Sequence, residues 1–224
     1  MNKIPVFVIN TLHRTDRKEH IIGEFQKREE FDLNIMRPIA DNKPNISLIL
    51  TAKSIIRYAR DNSLDYIVIC EDDHQFTNSY SEELLNLELY NARQLRVNLV
   101  SGGVSNFGDA YQISKNMLLT NWFWGTQFVV LFKESYNTIL AADVMLNDAL
   151  DAFFSRHLSK KAFFTPFISV QRDFGYSDVT LSNNKKGLVD SLFRSAESKA
   201  LKYIELFNKK KDLLSMQKDG YIIY

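Results

Sequence analysis

YIVICEDDH, residues 66–74, is the stretch on which the fold of this chain turns. Tyr66 to Cys70 are aromatic or apolar without alternation, the pattern of a strand buried on both faces, as in the parallel sheets of α/β proteins. Three carboxylates follow at once, Glu71, Asp72 and Asp73, and then His74. An apolar strand that ends in charge marks the edge of a sheet, where ligands of α/β proteins bind beyond the carboxyl ends of the strands.

Upstream, PVFVIN (5–10) is a second apolar run that ends in a polar residue, and it reads as another buried strand. Thr15 and Asp16 offer capping oxygens for a helix to about Glu29, with Ile21, Ile22 and Phe25 on one face. A strand over 33–37 and a loop over 38–44 come next, and Ser47 is the expected cap of a helix carrying Leu48, Ala52, Ile55, Ile56 and Ala59. Strand, helix, strand, helix, strand is the order of an α/β protein with helical crossovers and a mostly parallel central sheet flanked by helices. Asn10 to Arg17 and Glu71 to His74 then share one sheet edge.

Downstream, Ser79 and Glu82 suggest a capping box for a helix to about Leu95. A strand is expected over 97–101, followed by Gly102 and Gly103 and a long polar and aromatic loop over about 105–124, a length that compact domains keep for a purpose. A strand over 127–132, helices over 134–145 and 148–158, and a strand over 162–167 complete the order. From Gly187 the composition changes to a basic amphipathic helix, so the chain divides into a catalytic domain over 1–184 and a helical extension over 185–224.

The 28 basic and 27 acidic residues among 224 nearly cancel, which removes the global field that would draw a nucleic acid. Cys70 is the single cysteine, so no internal disulfide forms, in keeping with a reducing compartment. The apolar run at residues 4–9 is too short for a signal peptide, and no stretch approaches a membrane span. A cytoplasmic protein is expected, soluble or peripheral on the inner face of the membrane.

Three adjacent carboxylates repel one another, and a divalent cation removes that cost. Oxygen donors suit magnesium or manganese, which keep positions open for water or substrate phosphates. A diphosphate leaving group fits such an ion, because the metal neutralises charge developing on the departing oxygen. The alternative reading of the three acids is a solvated turn, and His74 is either a further ligand or contact or simply a surface group. Cys70 reads as a small core residue.

The chain resembles glycosyltransferase family 25, which includes lipopolysaccharide and collagen galactosyltransferases. The resemblance rests on VINTLHRTDR (8–17), IVICEDD (67–73), GTQFVVLFKESYNTIL (125–140), DALDAFF (148–154) and TPFISVQRDFGYSDV (165–179), in that order. The family's Glu-x-Gly and Ser-His pair before the metal strand are not reproduced; Thr51-Ala52 stands where Ser-His would fall.

That resemblance implies a GT-A-type fold, a nucleotide-sugar donor carrying UDP, Mn2+ or Mg2+, and inversion at the anomeric carbon. It makes Asp73 the direct metal ligand, with Glu71 and Asp72 holding ribose, sugar or metal-bound water and Glu71 a second candidate ligand. Asn10, Thr11, Arg14 and Arg17 fall in the loop where the nucleotide sits, and arginine there offers a planar fork for phosphate. An inverting transfer needs a base on the acceptor side; Asp151 matches the family's acidic-aromatic motif, and Asp148 three residues earlier can share its helix face. Either can instead cap that helix. Trp122 and Trp124 precede Gly125-Thr126, and tryptophans of this kind stack on sugar faces or fill a core, one in each role here. Gln171 and Asp178 line the site or brace it.

The reading is a hexosyltransferase moving galactose or glucose from a UDP-sugar to a saccharide or lipid-linked saccharide acceptor in surface-glycan synthesis, such as lipopolysaccharide or capsule. Two alternatives stand beside it: a non-catalytic nucleotide-sugar-binding module, and a nucleotidyltransferase, although residues 10–17 lack the glycines of a phosphate loop. In the C-terminal stretch Val189, Leu192, Phe193, Ala196, Ala200, Tyr203, Ile204 and Phe207 recur at helical spacing among lysines that include Lys209 to Lys211. This helix is expected to pack on the domain or on a second subunit, or to touch an anionic membrane.

Overall fold

The computed structural model describes residues 3–175 and 187–218, with side chains described up to residue 210. Asp178 and Lys211, and the boundary expected at 184/185, lie outside those described residues or side chains.

The first five elements follow the expected order: β1 (Ile4–Ile9), α1 (Thr15–Phe25), β2 (Phe31–Met36), α2 (Pro44–Asp61) and β3 (Tyr66–Glu71). After them come β4 (His74–Phe76), α3 (Glu82–Gln94), β5 (Leu99–Ser101), β6 (Asn106–Phe107), β7 (Ala110–Ser114), β8 (Met117–Thr120), β9 (Phe123–Trp124) and β10 (Phe128–Phe132). The chain continues through α4 (Tyr136–Ala141), α5 (Leu150–His157), β11 (Lys161–Phe164), β12 (Ser169–Gln171) and α6 (Leu188–Lys218).

Eight strands form one sheet in the order β2-β1-β3-β10-β5-β11-β8-β7. The strands β2, β1, β3, β5, β11 and β7 run one way, and β10 and β8 run against them. The architecture is therefore α/β with a central sheet of mixed pairing and mostly one strand direction.

Apolar strands without alternation split their side chains between two cores, because successive residues point to opposite faces. Phe7 and Ile9 of β1 and Val129 and Leu131 of β10 face α2, α4, α5 and α6, against Ile49, Ile56, Ile139, Phe153 and Phe193. Val6, Val8, Phe128 and Val130 face α1 and α3, against Ile21, Phe25, Leu85 and Leu89. Helices on both faces explain why β1, β3 and β10 are almost wholly apolar.

Several local expectations are revised. No side chain caps α1, which ends at Phe25 rather than near Glu29. Pro44 starts α2, three residues before Ser47, since proline is pre-organised for a first helical position; the Ser47 hydroxyl instead donates to Ile39 O at 2.5 Å. Ser81, not Ser79, caps α3 and accepts from Leu84 N–H at 3.1 Å. The segment 105–124 is not an irregular loop but two antiparallel pairs, β7–β8 and β6–β9. A second small sheet pairs β4 with β12 and brings Gln171 opposite His74.

The first half of α6 belongs to the core. Val189, Phe193, Ala196 and Ala200 are buried there, with Tyr203, Ile204 and Phe207 packed against the same cluster. Leu201 and Leu206 remain exposed. Among the described residues no helix is long and apolar enough to cross a membrane.

Candidate active site

The ends of β1 and β3 lie side by side, since Ile9 is the register partner of Glu71. Asn10 and Asp72, one residue beyond each, therefore meet: Asn10 Nδ2 donates to Asp72 Oδ2 at 2.8 Å. Arg17, on the first turn of α1, sends one Nη to both acids, to Asp72 Oδ1 at 3.2 Å and to Asp73 Oδ2 at 2.8 Å. Arg14 approaches Asp72 Oδ1 at 3.5 Å. Gln171 Nε2 completes Asp73 Oδ2 at 2.8 Å, and Arg172 N–H donates to the Asp73 carbonyl at 2.7 Å. Arg17, Asp72 and Asp73 are all buried. A buried carboxylate needs such charge-assisted partners, and removing one partner of a buried pair costs about 3–5 kcal/mol.

Glu71 points the other way. Thr126 Oγ1 donates to Glu71 Oε1 at 2.5 Å, across the junction between the end of β3 and the start of β10. The preceding Gly125 has φ +107°, a conformation that glycine adopts readily, and its N–H donates to Asp151 Oδ2 at 3.0 Å. Asp151 sits in the first turn of α5, and its Oδ1 accepts from Ala152 N–H at 2.7 Å. The sequence-expected pair Gly125-Thr126 is thus the link between the acidic cluster and the acid of α5.

The titration of these acids follows from burial. Burial, reinforced by Asp73, pushes Glu71 up to about 8. Burial raises Asp73 to about 6, opposed by the Arg17 charge. Asp151 is raised by burial against the N–H groups of Gly125 and Ala152. Asp148 differs: Arg156 grips both its oxygens, at 2.7 and 2.5 Å, Met145 N–H donates to Oδ2 at 2.8 Å, and its pKa is lowered.

A pocket of about 90 Å³ opens beside this cluster, lined by Ile9, Thr11, Arg14, Pro38, Pro44, Ser47, Leu48, Glu71 and Asp72. Its walls are apolar on the α2 side and ionic on the β3 side. Thr11 Oγ1 is buried without a hydrogen-bond partner. Thr51, at the position where the resembled family has Ser-His, is an internal brace: it donates to Ser47 O at 2.6 Å and accepts from Ile39 N–H at 2.8 Å, which fixes the 38–44 wall.

His74 is a core residue, not a surface group. It is fully buried, shares a 2.7 Å hydrogen bond with Ser169 Oγ, and lies among Phe25, Phe76 and Phe128, and burial holds its pKa well below the ordinary value. Cys70 is buried and its thiol pKa is pushed up, as for a core residue. Trp122 and Trp124 stand next to each other at 5.5 Å between ring centroids, and neither is in the buried core.

Sequence reasoning missed Pro38, Pro44 and Leu48 as pocket walls, and it missed Arg156 altogether. The two prolines that bracket the 38–44 loop were the available signal for the walls. Nothing local signalled the Arg156 grip on Asp148.

For a divalent ion the donor set offers little by itself. Among the described residues no three His, Cys, Asp or Glu side chains converge. Asp72 is taken by Asn10 and two arginines, and Glu71 Oε1 by Thr126. Asp73 Oδ1 is buried and has no partner. Magnesium-type ions are often held by one or two carboxylates with substrate phosphates supplying the rest. The residues therefore fit an ion that arrives with a diphosphate, through Asp73, and not a fully protein-liganded one.

No family model and no curated protein matches this chain. Among solved structures it is similar to apo-UDP-glucose pyrophosphorylase, with TM-score 0.46, 6% identity, and 86% of this chain and 82% of that one covered. A glycosyltransferase involved in glycosylation of the major capsid of PBCV-1 aligns with TM-score 0.45 and 10% identity over 72% of this chain and 81% of that one. UDP-glucose pyrophosphorylase complexed with UDP-glucose aligns with TM-score 0.45 and 6% identity over 87% and 81%. Likeness this distant assigns no activity to the chain.

Proposed function

We propose that this chain is a glycosyltransferase that takes a hexose, galactose or glucose, from UDP and transfers it with inversion to a saccharide acceptor in surface-glycan synthesis. The observation that carries the reading is the line of contacts Asn10–Asp72, Glu71–Thr126 and Gly125–Asp151. It sets a pocket with an ionic wall on one side of the sheet edge and a separately held carboxylate on the other. Transfer between two substrates needs that division.

The nucleotide enters the pocket between Ile9, Thr11, Pro38 and Leu48, with Thr11 offering a hydrogen bond to base or ribose. Arg14, already at the pocket wall, meets the diphosphate as a planar donor. Asp73 would hold Mn2+ or Mg2+ through Oδ1, and such an ion supplies charge neutralisation for the departing diphosphate. Glu71, whose pKa burial pushes up to about 8, stands at the sugar end of the site, where Thr126 holds it.

Asp151 accepts the acceptor hydroxyl proton at Oδ1 or Oδ2 as the new glycosidic bond forms; its two backbone donors keep it oriented. Burial raises its basicity above that of an ordinary aspartate. Asp148, whose pKa the Arg156 guanidinium lowers, positions Arg156 and the start of α5 and is the weaker base of the two.

Calorimetry with UDP, GDP and CDP, each with and without Mn2+, tests the donor half. UDP binding strengthened by Mn2+ is the expected result. No binding of any nucleoside diphosphate contradicts the proposal, as does pyrophosphate release from UTP and a hexose 1-phosphate, which is nucleotidyltransferase chemistry.

A further inference from the structure

The two tryptophans form more than an aromatic patch. Trp122 and Trp124 are tilted 47° to each other and wall an open cavity of about 300 Å³ together with Phe123, Ala152, Ser155 and Arg156. That volume lies at the lower end of small-ligand sites. Trp124 is 50% exposed and presents its ring to this cavity.

The cleft is built rather than incidental. Trp122 lies against Gly108 so closely that a Cβ there would meet its Nε1 at 2.4 Å. Strand β9 is held from below by Ser155, whose Oγ accepts from Phe123 N–H at 3.2 Å. Gly108 N–H donates to Trp122 O at 3.1 Å and Ser105 N–H to Trp124 O at 2.8 Å. The cleft also abuts the chemistry: Trp124 precedes Gly125, whose N–H is bound by Asp151, and Ala152 of the lining follows Asp151.

Its charge is closed. Arg156 is the one cation among the described lining residues, and each of its terminal nitrogens donates one N–H to Asp148, at 2.7 and 2.5 Å, so its charge is paired. Its Nε donates to His157 Nε2 at 3.2 Å. An anionic sugar entering here would find no uncommitted cation among these residues and would face the nearby Asp148 and Asp151.

Resting on the transfer reaction proposed above, we infer that this cleft is the acceptor subsite and that it takes an uncharged pyranose stacked on Trp124, selecting against uronic and sialic acids. Aromatic rings take the apolar C–H face of a sugar, and the cleft's place beside Asp151 brings a hydroxyl of that sugar toward the base. Asp148 is then a positioning residue for specificity: by occupying Arg156 it keeps the subsite neutral.

The chain contains two tryptophans, and both line the cleft, so intrinsic tryptophan emission reports on this site alone. The full chain is titrated with lactose and maltose, and with sialyllactose and a glucuronic-acid disaccharide, with and without UDP and Mn2+. A saturable change in emission with a neutral sugar is expected, weakened in Trp124→Ala by about tenfold or more, the scale of truncating a tryptophan anchor. Trp124→Phe, which keeps a stacking face, retains most of the affinity. Emission unchanged by every neutral sugar, equal affinity in Trp124→Ala, or equally tight binding of the charged sugars overturns the inference. UDP calorimetry on the same protein reads the donor site separately: sugar binding in the cleft without UDP binding upholds a neutral-sugar site on Trp124 and contradicts the transfer reaction, and with it the acceptor role.

Discussion

Asp151 is costly to the fold in the form that the chemistry needs. Burial raises its folded pKa, so the folded state prefers the protonated acid; stability from this group is full below the unfolded value and declines as pH rises through the folded value. Asp151→Asn therefore melts no lower than the wild type at pH 7.5, and the gap narrows toward pH 5, as differential scanning fluorimetry can record. Asp148 carries the opposite sign. Arg156 depresses its pKa, so its contribution is present above the unfolded value near 3.9 and is lost as pH falls through the folded one. Arg17→Gln strips a shared partner from two buried carboxylates and is expected to lower stability by about 3–5 kcal/mol in chemical denaturation. Mn2+ recovers part of that loss, whereas the wild type takes up Mn2+ measurably with UDP and weakly without it. The place of the acids at a sheet edge was legible, because an apolar run ending in charge marks the end of a buried strand. Their pairing was not, since Arg17 lies 55 residues from Asp72 in the chain and only the parallel register of β1 and β3 brings them together.

At the scale of elements, the β3–β10 junction and α5 set the geometry. Gly125→Ala forces a side chain onto φ +107° and brings its Cβ to 3.0 Å from Gln127 Oε1, so transfer activity falls more than global stability. The end of α5 is closed by Lys161 of β11, buried at 3% exposure, whose Nζ donates to Ser155 O at 3.0 Å and to Leu158 O at 2.5 Å. Lys161→Met leaves those carbonyls unmet and costs about 1–3 kcal/mol, read as a lower denaturation midpoint. Strands β1, β3 and β10 and helices α2 and α6 were visible in their apolar pattern, and α3 in a capping signal that fell two residues early. The pairs β6–β9 and β7–β8 were not: two of these strands are two residues long, and their burial is mixed, so period 2 has too little length to show. The start of α2 was misread because Ser47 is a good cap in isolation, yet the proline at Pro44 and the tie between Ser47 and Ile39 decide the matter.

Over the whole molecule, the sheet divides two cores, and the candidate site lies along one edge where β1, β3, β10 and α5 terminate or begin. Helix α6 closes the core on the α2 side with Val189, Phe193, Ala196 and Ala200, so a chain ending before residue 187 exposes that face and is expected to aggregate or lose its cooperative transition. The two-sided layout was readable from the sequence as an order of elements, while the joining of the two sides through Thr126 and Gly125 depends on β10 running antiparallel to β3, which no local pattern announces. The central claim is that one side binds the nucleotide and Asp151 on the other takes the acceptor proton. It is tested most directly by UDP release from UDP-hexose in the presence of neutral saccharide acceptors, measured for wild type and Asp151→Asn beside UDP calorimetry on both. The account predicts that the variant loses about 10²–10⁴-fold in rate, the usual worth of a general base, with UDP affinity unchanged. Equal rates in the two proteins would contradict it.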